Sequence, residues 1–175
     1  MIPYKKCLPT IYQMLEDRGY TNIQTNHETM KTTADKDGEK IYVYFATSKK
    51  KGLGVNEVRN ILEEVAGEKL ILVYESSITF YAKQAIKEYP NVETFQAKRL
   101  YYNVTQHVLV PPHRLLTEEQ KEEFLLKHNV KLNQCKRILC TDPVAKYYGA
   151  VPGNLMEIER SSPDGRRFYA YRVVV

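Results

Sequence analysis

The segment Thr141–Gly153, TDPVAKYYGAVPG, constrains this chain more than any other stretch. Asp142 is a good helix N-cap, because its carboxylate accepts free amides of the first turn. Pro143 at the first helical position has no amide to leave unpaired. Val-Ala-Lys-Tyr-Tyr then reads as a short helix, and Gly149 takes the left-handed C-cap. Pro152-Gly153 turns the chain into a strand, Asn154–Arg160. SSPDG, Ser161–Gly165, is a tight turn, and Arg166–Val175 returns as the second strand of a hairpin. On it Tyr169, Tyr171, Val173 and Val175 share one face by the period of two. The chain end therefore reads as a compact α+β unit whose last residues belong to its sheet. It contains no residue set that looks like an active site.

Before this unit the punctuation changes near Pro111-Pro112. TEEQKEEFLLKH, Thr117–His128, opens with Thr at the cap and Gln three residues on, a capping box. Glu118 and Glu119 complement the positive end of the helix dipole, and Lys127 and His128 the negative end. At the chain start, Leu8, Ile11, Tyr12 and Leu15 follow helical spacing, so a helix is expected over about residues 4–18, stopped by Gly19. A polar stretch with a turn at DKDGE leads to IYVYFA, Ile41–Ala46, a buried strand by its β-branched and aromatic content. The basic loop SKKKGLG, Ser48–Gly54, precedes a helix marked by Val55, Val58, Ile61, Leu62 and Val65. LILVYE is a second buried strand. Ser76 or Ser77 is the expected cap of a third helix ending near Tyr89-Pro90, and VETFQAKRLYYNVTQHVLV is extended in character. Strands alternating with helices predict an α/β module with some parallel pairing. The boundary falls near residues 103–112, giving 1–104 and 105–175 as the two domains.

Composition excludes several function classes. At 43% hydrophobic residues over 175, a packed core is expected. No run approaches the roughly 20 apolar residues of a membrane span. The first residues, MIPYKKCLPTIYQMLED, do not read as a signal peptide, so a soluble intracellular product is expected. The net charge of +5 permits nucleic-acid contact and equally suits an ordinary soluble surface. Cys7, Cys135 and Cys140 show no CxxC spacing, and the four histidines stand apart, so no disulfide framework, metal or other cofactor is expected. No GxxxxGK[ST] loop or GxSxG elbow is present. One enzymatic alternative stays open. Asp35, Asp37 and Glu39 alternate before a strand, as the carboxylates of a stand-alone metal-dependent nuclease do, although the lysine spacing and the surrounding turn residues disfavour it.

The C-terminal third also resembles a known family. His107, Leu109, Val110, Pro111 and His113 match an HxLVPxH segment. Arg137 and Ile138 match an LPRI-like stretch. Asp142, Pro143, Val144, Ala145, Lys146, Tyr147 and Gly149 match DPVARYxG, and Arg167, Tyr171, Arg172 and Val173 match the final YxxYRxV region. In this order and spacing they are similar to the small subunit shared by eukaryotic RNA polymerases I, II and III, which has a counterpart in the archaeal RNA polymerase. LEDRGY, the Ser48–Val55 loop and ITFYAKQ extend the resemblance more weakly into the N-terminal module, which the archaeal form lacks. The chain departs from the family in being shorter before Ile41 and in having Phe80 where the family has proline. A reduced form of this kind would suit a large DNA virus.

The resemblance implies an α+β protein without catalytic role. A jaw-like N-terminal α/β module of three helices and a small mixed sheet would stand near downstream duplex DNA in the lower jaw. A C-terminal assembly domain would dock on the largest polymerase subunit. Interface candidates are Asp142, Pro143, Tyr147, Tyr148, Arg167, Tyr171 and Arg172, with core packing the alternative for each aromatic. DNA-proximal candidates are Lys49, Lys50, Lys51, Ser77, Thr79, Phe80 and Lys83, through contacts blind to sequence. Other polymerase subunits are implied partners, and no membrane is. The compartment would be the nucleus for a cellular protein, or a cytoplasmic viral factory or virion for a viral one.

Overall fold

The computed structural model describes every residue except 1–2, 48–51, 66 and 163. The chain divides into two units, Met1–Tyr102 and Asn103–Val175. No described helix is long and apolar enough to cross a membrane.

The first unit is a five-stranded mixed sheet between two helical layers. Helix α1 spans Pro3–Asp17 and ends at Gly19, whose φ of +83° is the left-handed conformation a C-cap glycine takes without steric cost. Strands β1 (Thr21–Asn26), β2 (Lys31–Lys36) and β3 (Glu39–Ala46) form an antiparallel meander. Asp37 and Gly38 make the two-residue turn between β2 and β3, both with positive φ (51° and 85°), the requirement of a type I′ hairpin. Helix α2 (Val55–Val65) crosses to β4 (Lys69–Tyr74), parallel to β3. Helix α3 (Phe80–Lys87) crosses to β5 (Val92–Gln96), parallel to β4.

Each face of this sheet has its own cover. Leu70, Leu72, Tyr42 and Tyr44 meet Val58, Ile61 and Leu62 of α2 and Ala82 and Ile86 of α3. The opposite parity puts Ile41, Val43, Phe45, Ile71 and Val73 on the other face, all buried. There α1 brings Tyr4 edge-on to Phe45 at 4.6 Å. Cys7 of α1 donates its thiol to the carbonyl of Ala97 in the 3-10 turn Ala97–Leu100, and burial pushes that thiol up to about 11. Arg18 holds Glu93 with two hydrogen bonds of 2.9 and 2.8 Å, tying the end of α1 to β5.

The second unit carries a four-stranded sheet in the order β6-β8-β9-β7. Its strands are β6 (His113–Leu115), β7 (Lys136–Ile138), β8 (Leu155–Ser161) and β9 (Arg167–Val174). β8 and β9 are the expected terminal hairpin, and β7 lies parallel to β9. Helix α4 (Glu118–His128) starts with the expected capping box, Thr117 and Gln120 each satisfying the other's backbone amide. Helix α5 (Pro143–Tyr147) is capped by Asp142, whose Oδ1 accepts from the amides of Val144 at 2.9 Å and Ala145 at 3.4 Å. Gly149 follows with φ +66°.

Four local expectations are corrected. Residues 21–36 form a hairpin where the sequence suggested only a polar stretch, because just Thr32 and Ala34 turn into the core and hydrophobic periodicity is faint. The cap of α3 is Thr79, accepting from the amide of Ala82, and neither Ser76 nor Ser77. The chain first makes a bridge to Leu53 through Ser77 and Thr79, and only then is released into a helix. That helix stops at Lys87, with Glu88 as its C-cap. Beyond Gln96 the extended stretch folds into two 3-10 turns, Ala97–Leu100 and Val104–Gln106, so extension ends with β5.

Candidate functional site

The candidate residues fall on one surface of the first unit and on both faces of the sheet in the second. In the first unit the surface is set by topology. β3 and β4 run parallel, so the loops leaving them emerge at the same end of the sheet. The amide of Leu53 donates to the carbonyl of Ser77 at 2.8 Å, and the amide of Thr79 donates to the carbonyl of Leu53 at 3.1 Å. Gly52 is pressed into this junction: a Cβ there would lie 3.0 Å from Ser77 Oγ. Gly52–Leu53 and the start of α3, well separated in the sequence, thus form one surface. Ser77, Thr79, Phe80 and Lys83 are all exposed on it. Lys49, Lys50 and Lys51 lie outside the described residues.

In the second unit the sheet carries a different cluster on each face. Leu155 and Val173 pair across the hairpin and pack with Leu116, Phe124 and Leu132 on the α4 side. Tyr171 shares this face. Its ring lies 4.0 Å from that of Phe124, and its hydroxyl donates to Glu157 Oε2 at 2.8 Å. Arg114 holds the other oxygen of Glu157 at 3.0 Å. Desolvation, then the bond to the Glu157 carboxylate, push the Tyr171 phenol up to about 12. Arg167, also on this face by parity, ion-pairs with Glu159 at 3.3 Å and is otherwise well exposed.

The opposite face packs Met156 and Val174 with Ile138, Val144, Ala145 and Ala150, and Tyr148 lies half-buried against them. Asp142 and Arg172 belong to this side. Both are felt electrostatically by His113, as is Arg160. His113 Nδ1 lies 2.6 Å from the carbonyl of Pro111, yet burial dominates and holds the imidazole below its usual range. His113 and Arg160 complete a polar cluster that the sequence pattern did not assemble. His113 entered only as a motif residue, and β6, which seats it opposite Ile158, has three residues and no periodic signal.

Placement sorts the interface candidates. Tyr147 is only 3% exposed, with its hydroxyl taking a hydrogen bond from Asn103 Nδ2 at 3.0 Å, so its ring belongs to the core and is removed from the surface set. Asp142 and Pro143 serve as cap and first residue of α5. Tyr148 and Arg172 are half-buried on one side of the sheet. Tyr171 is half-buried and Arg167 exposed on the other, so the set does not converge on a single patch.

The three carboxylates of the nuclease alternative are distributed along the hairpin. Asp35 lies in β2, Asp37 forms the turn, and Glu39 ion-pairs with Lys69, whose hydrogen bond holds that carboxyl below the usual range. Among the described residues no group of three His, Cys, Asp or Glu side chains is placed to hold a metal ion.

Residues 102–174 match the family model of the RNA polymerase Rpb5 C-terminal domain. DNA-directed RNA polymerases I, II, and III subunit rpabc1 of Dictyostelium discoideum is 33% identical, over 95% of this chain and 94% of that protein. The chain belongs to the Rpb5 family of RNA polymerase subunits. DNA-directed RNA polymerase subunit 5-like protein 1 of Arabidopsis thaliana is 31% identical over 95% of the chain and 92% of its own length. The Rpo5 subunit of Thermococcus kodakarensis is 44% identical over 45% of this chain and 96% of its own. The C-terminal motif residues, His107 to Val173, all lie inside the matched segment, and LEDRGY, Ser48–Val55 and ITFYAKQ lie outside it. Its α+β architecture is the one the resemblance implied.

Proposed function

We propose that this Rpb5-family chain is a non-catalytic subunit of a multisubunit DNA-directed RNA polymerase, with Asn103–Val175 as an independently folding domain that docks on the largest subunit. The observation that carries this reading is the match along nearly the whole chain to a subunit shared by polymerases I, II and III. Tyr148 and Arg172 beside Asp142 are one docking edge, and Arg167 with Tyr171 is a second. Tyr and Arg suit such edges because each combines a large contact area with directed hydrogen bonding. The partners are then the largest subunit and its neighbours, and the compartment is the one in which that polymerase works, the nucleus in a cell.

The first unit, in this reading, stands in the lower jaw beside downstream duplex DNA. The joined surface of Gly52–Leu53 and Ser77–Lys83 supports it, and the lysine run Lys49–Lys51 adjoins that surface in sequence. Contacts there are to phosphate and release counterions whatever the base sequence.

Tagging the chain in its native source and purifying the complex tests the assembly role. The largest polymerase subunit should co-purify with the wild type and be lost with Tyr148→Ala/Arg172→Ala. Retention of the subunit by that variant would remove this docking edge. Co-purification of no polymerase would overturn the assignment. For the jaw, replacing Lys49, Lys50 and Lys51 with Ala should leave assembly intact and flatten the salt slope of the polymerase's DNA binding by up to about three units. An unchanged slope removes the loop from the DNA contact.

A further inference from the structure

The first turn of α3 carries an exposed pair of aromatic rings. Phe80 is 68% and Tyr81 72% exposed, and the rings stand edge to face with centroids 5.8 Å apart. A single aromatic on a surface needs no explanation. Here two large rings stand side by side while Ala82, Ala85 and Ile86 supply the buried face of the helix. Most of the apolar area of the pair therefore takes no part in holding α3 in place.

The residues around the pair have a consistent chemistry. Helical spacing puts Phe80, Lys83, Gln84 and Lys87 at i, i+3, i+4 and i+7, one continuous stripe. All four are exposed. Neither Lys83 nor Lys87 forms an ion pair with a described residue. The stripe carries no acid, and Glu88 lies beyond its last turn. From Phe80 to Lys87 it runs about 10 Å at the helical rise. A groove-binding helix would present apolar anchors at all of these positions. This one presents one ring, two lysines and a glutamine, with Tyr81 beside the ring.

Rings beside lysines are complementary to a strand whose bases are open. Aromatic faces stack on bases, and ammonium groups meet the intervening phosphates. In a paired duplex the base faces are covered by their neighbours, so the lysines find partners but the rings do not. We propose that the start of α3 is a stacking platform for an unpaired base of single-stranded nucleic acid, with Phe80 and Tyr81 against the base and Lys83 and Lys87 on the flanking phosphates. The platform goes beyond the duplex contact proposed above and rests on that reading only for bringing nucleic acid to this unit.

The test uses the full chain with labelled oligodeoxythymidine and a duplex of equal length, titrated across a range of salt. Phe80→Ala/Tyr81→Ala should weaken single-strand binding at least about fivefold, the lower end for losing one stacked base, without changing the salt slope. Duplex binding should stay within about twofold of wild type by the same reasoning. Lys83→Ala/Lys87→Ala should flatten the single-strand slope by about 1.4 units. The chain has no tryptophan, so Phe80→Trp supplies a single indole that can be excited apart from the tyrosines, and its emission should be quenched by the oligonucleotide. Absence of single-strand binding by the wild type at low salt would overturn the proposal. So would equal affinity of the double aromatic variant for the single strand, or loss of polymerase co-purification by that variant with both DNA affinities intact, which would mark a protein contact. Failure of the duplex reading shows separately, in the salt slope of the assembled polymerase with the Lys49–Lys51 replacements.

Discussion

The two units solve the same packing problem at different scales. In Met1–Tyr102 a sheet of five strands separates two helical layers, and the inner strand β4 is buried along four consecutive residues, Leu70–Val73. In Asn103–Val175 the sheet has four strands, two of them only three residues long, and its faces are served by α4 and by α5, a helix of five residues. The larger unit has enough apolar contact to leave a helix tip bearing two exposed rings. The smaller one engages nearly every signal it has, a capping box, an Asp-Pro cap and a tight hairpin, in holding its short elements. A small unit of this kind depends on its last strand more than a large one does, because β9 pairs on both sides and supplies both faces.

Removing Tyr171–Val175 should therefore have the largest effect. It takes away Val173 and Val174 from the two clusters and frees the edges of β7 and β8. Calorimetry of the full chain should lose the unfolding transition of the second unit and keep that of the first. Loss of both would show that the units do not fold independently.

Single cavities sharpen the comparison. Leu155→Ala and Ile71→Ala each remove a fully buried side chain, one per unit, and each should cost about 2–5 kcal/mol. Denaturant unfolding followed by unit-specific NMR signals should show each substitution lowering the midpoint of its own unit only. A common shift would mean one cooperative body.

Caps have smaller effects. Asp142→Ala leaves two amides of α5 without an acceptor, and Thr79→Ala removes the cap of α3. Each should cost about 1 kcal/mol, read as a midpoint shift. A far larger loss at Asp142 would indicate that its charge also supports the His113, Arg160 and Arg172 cluster.

The smallest effect is a titration. The folded Tyr171 phenol keeps its proton to about pH 12, whereas an unfolded tyrosine releases its own near 10. The contribution is fully present below pH 10 and is lost as pH rises toward 12, since the unfolded chain binds fewer protons in that window. Phenolate absorbance of wild type minus Tyr171→Phe should rise late, near pH 12. A difference curve centred near 10 would show that the bond to Glu157 does not hold in solution.

Legibility differed between the units for a physical reason. Asp142, Pro143, Gly149, Thr117 and Gln120 act within four residues of themselves, so their caps could be read from the chain and stand as expected. The β1–β2 hairpin was not legible, because a strand with Thr32 and Ala34 as its buried residues is specified by the register of β3 beside it. For the same reason β6 and β7, three residues each, became strands only when β8 and β9 offered them an edge. The surface sites divide in the same way. Tyr147 and Tyr148 are equivalent as adjacent letters, and helix direction alone decided that Tyr147 faces the core. The meeting of Leu53 with Ser77 and Thr79 depended on parallel β3 and β4 emptying at one end. The sequence by itself determined the family motifs, the capped helices, the terminal hairpin and the exclusion of familiar catalytic patterns, since all of these rest on short-range stereochemistry and residue type. Only the tertiary structure decided strand partners, the sorting of aromatics between core and surface, and the joining of distant loops, because each depends on which backbone edges and apolar faces meet once the chain has closed on itself.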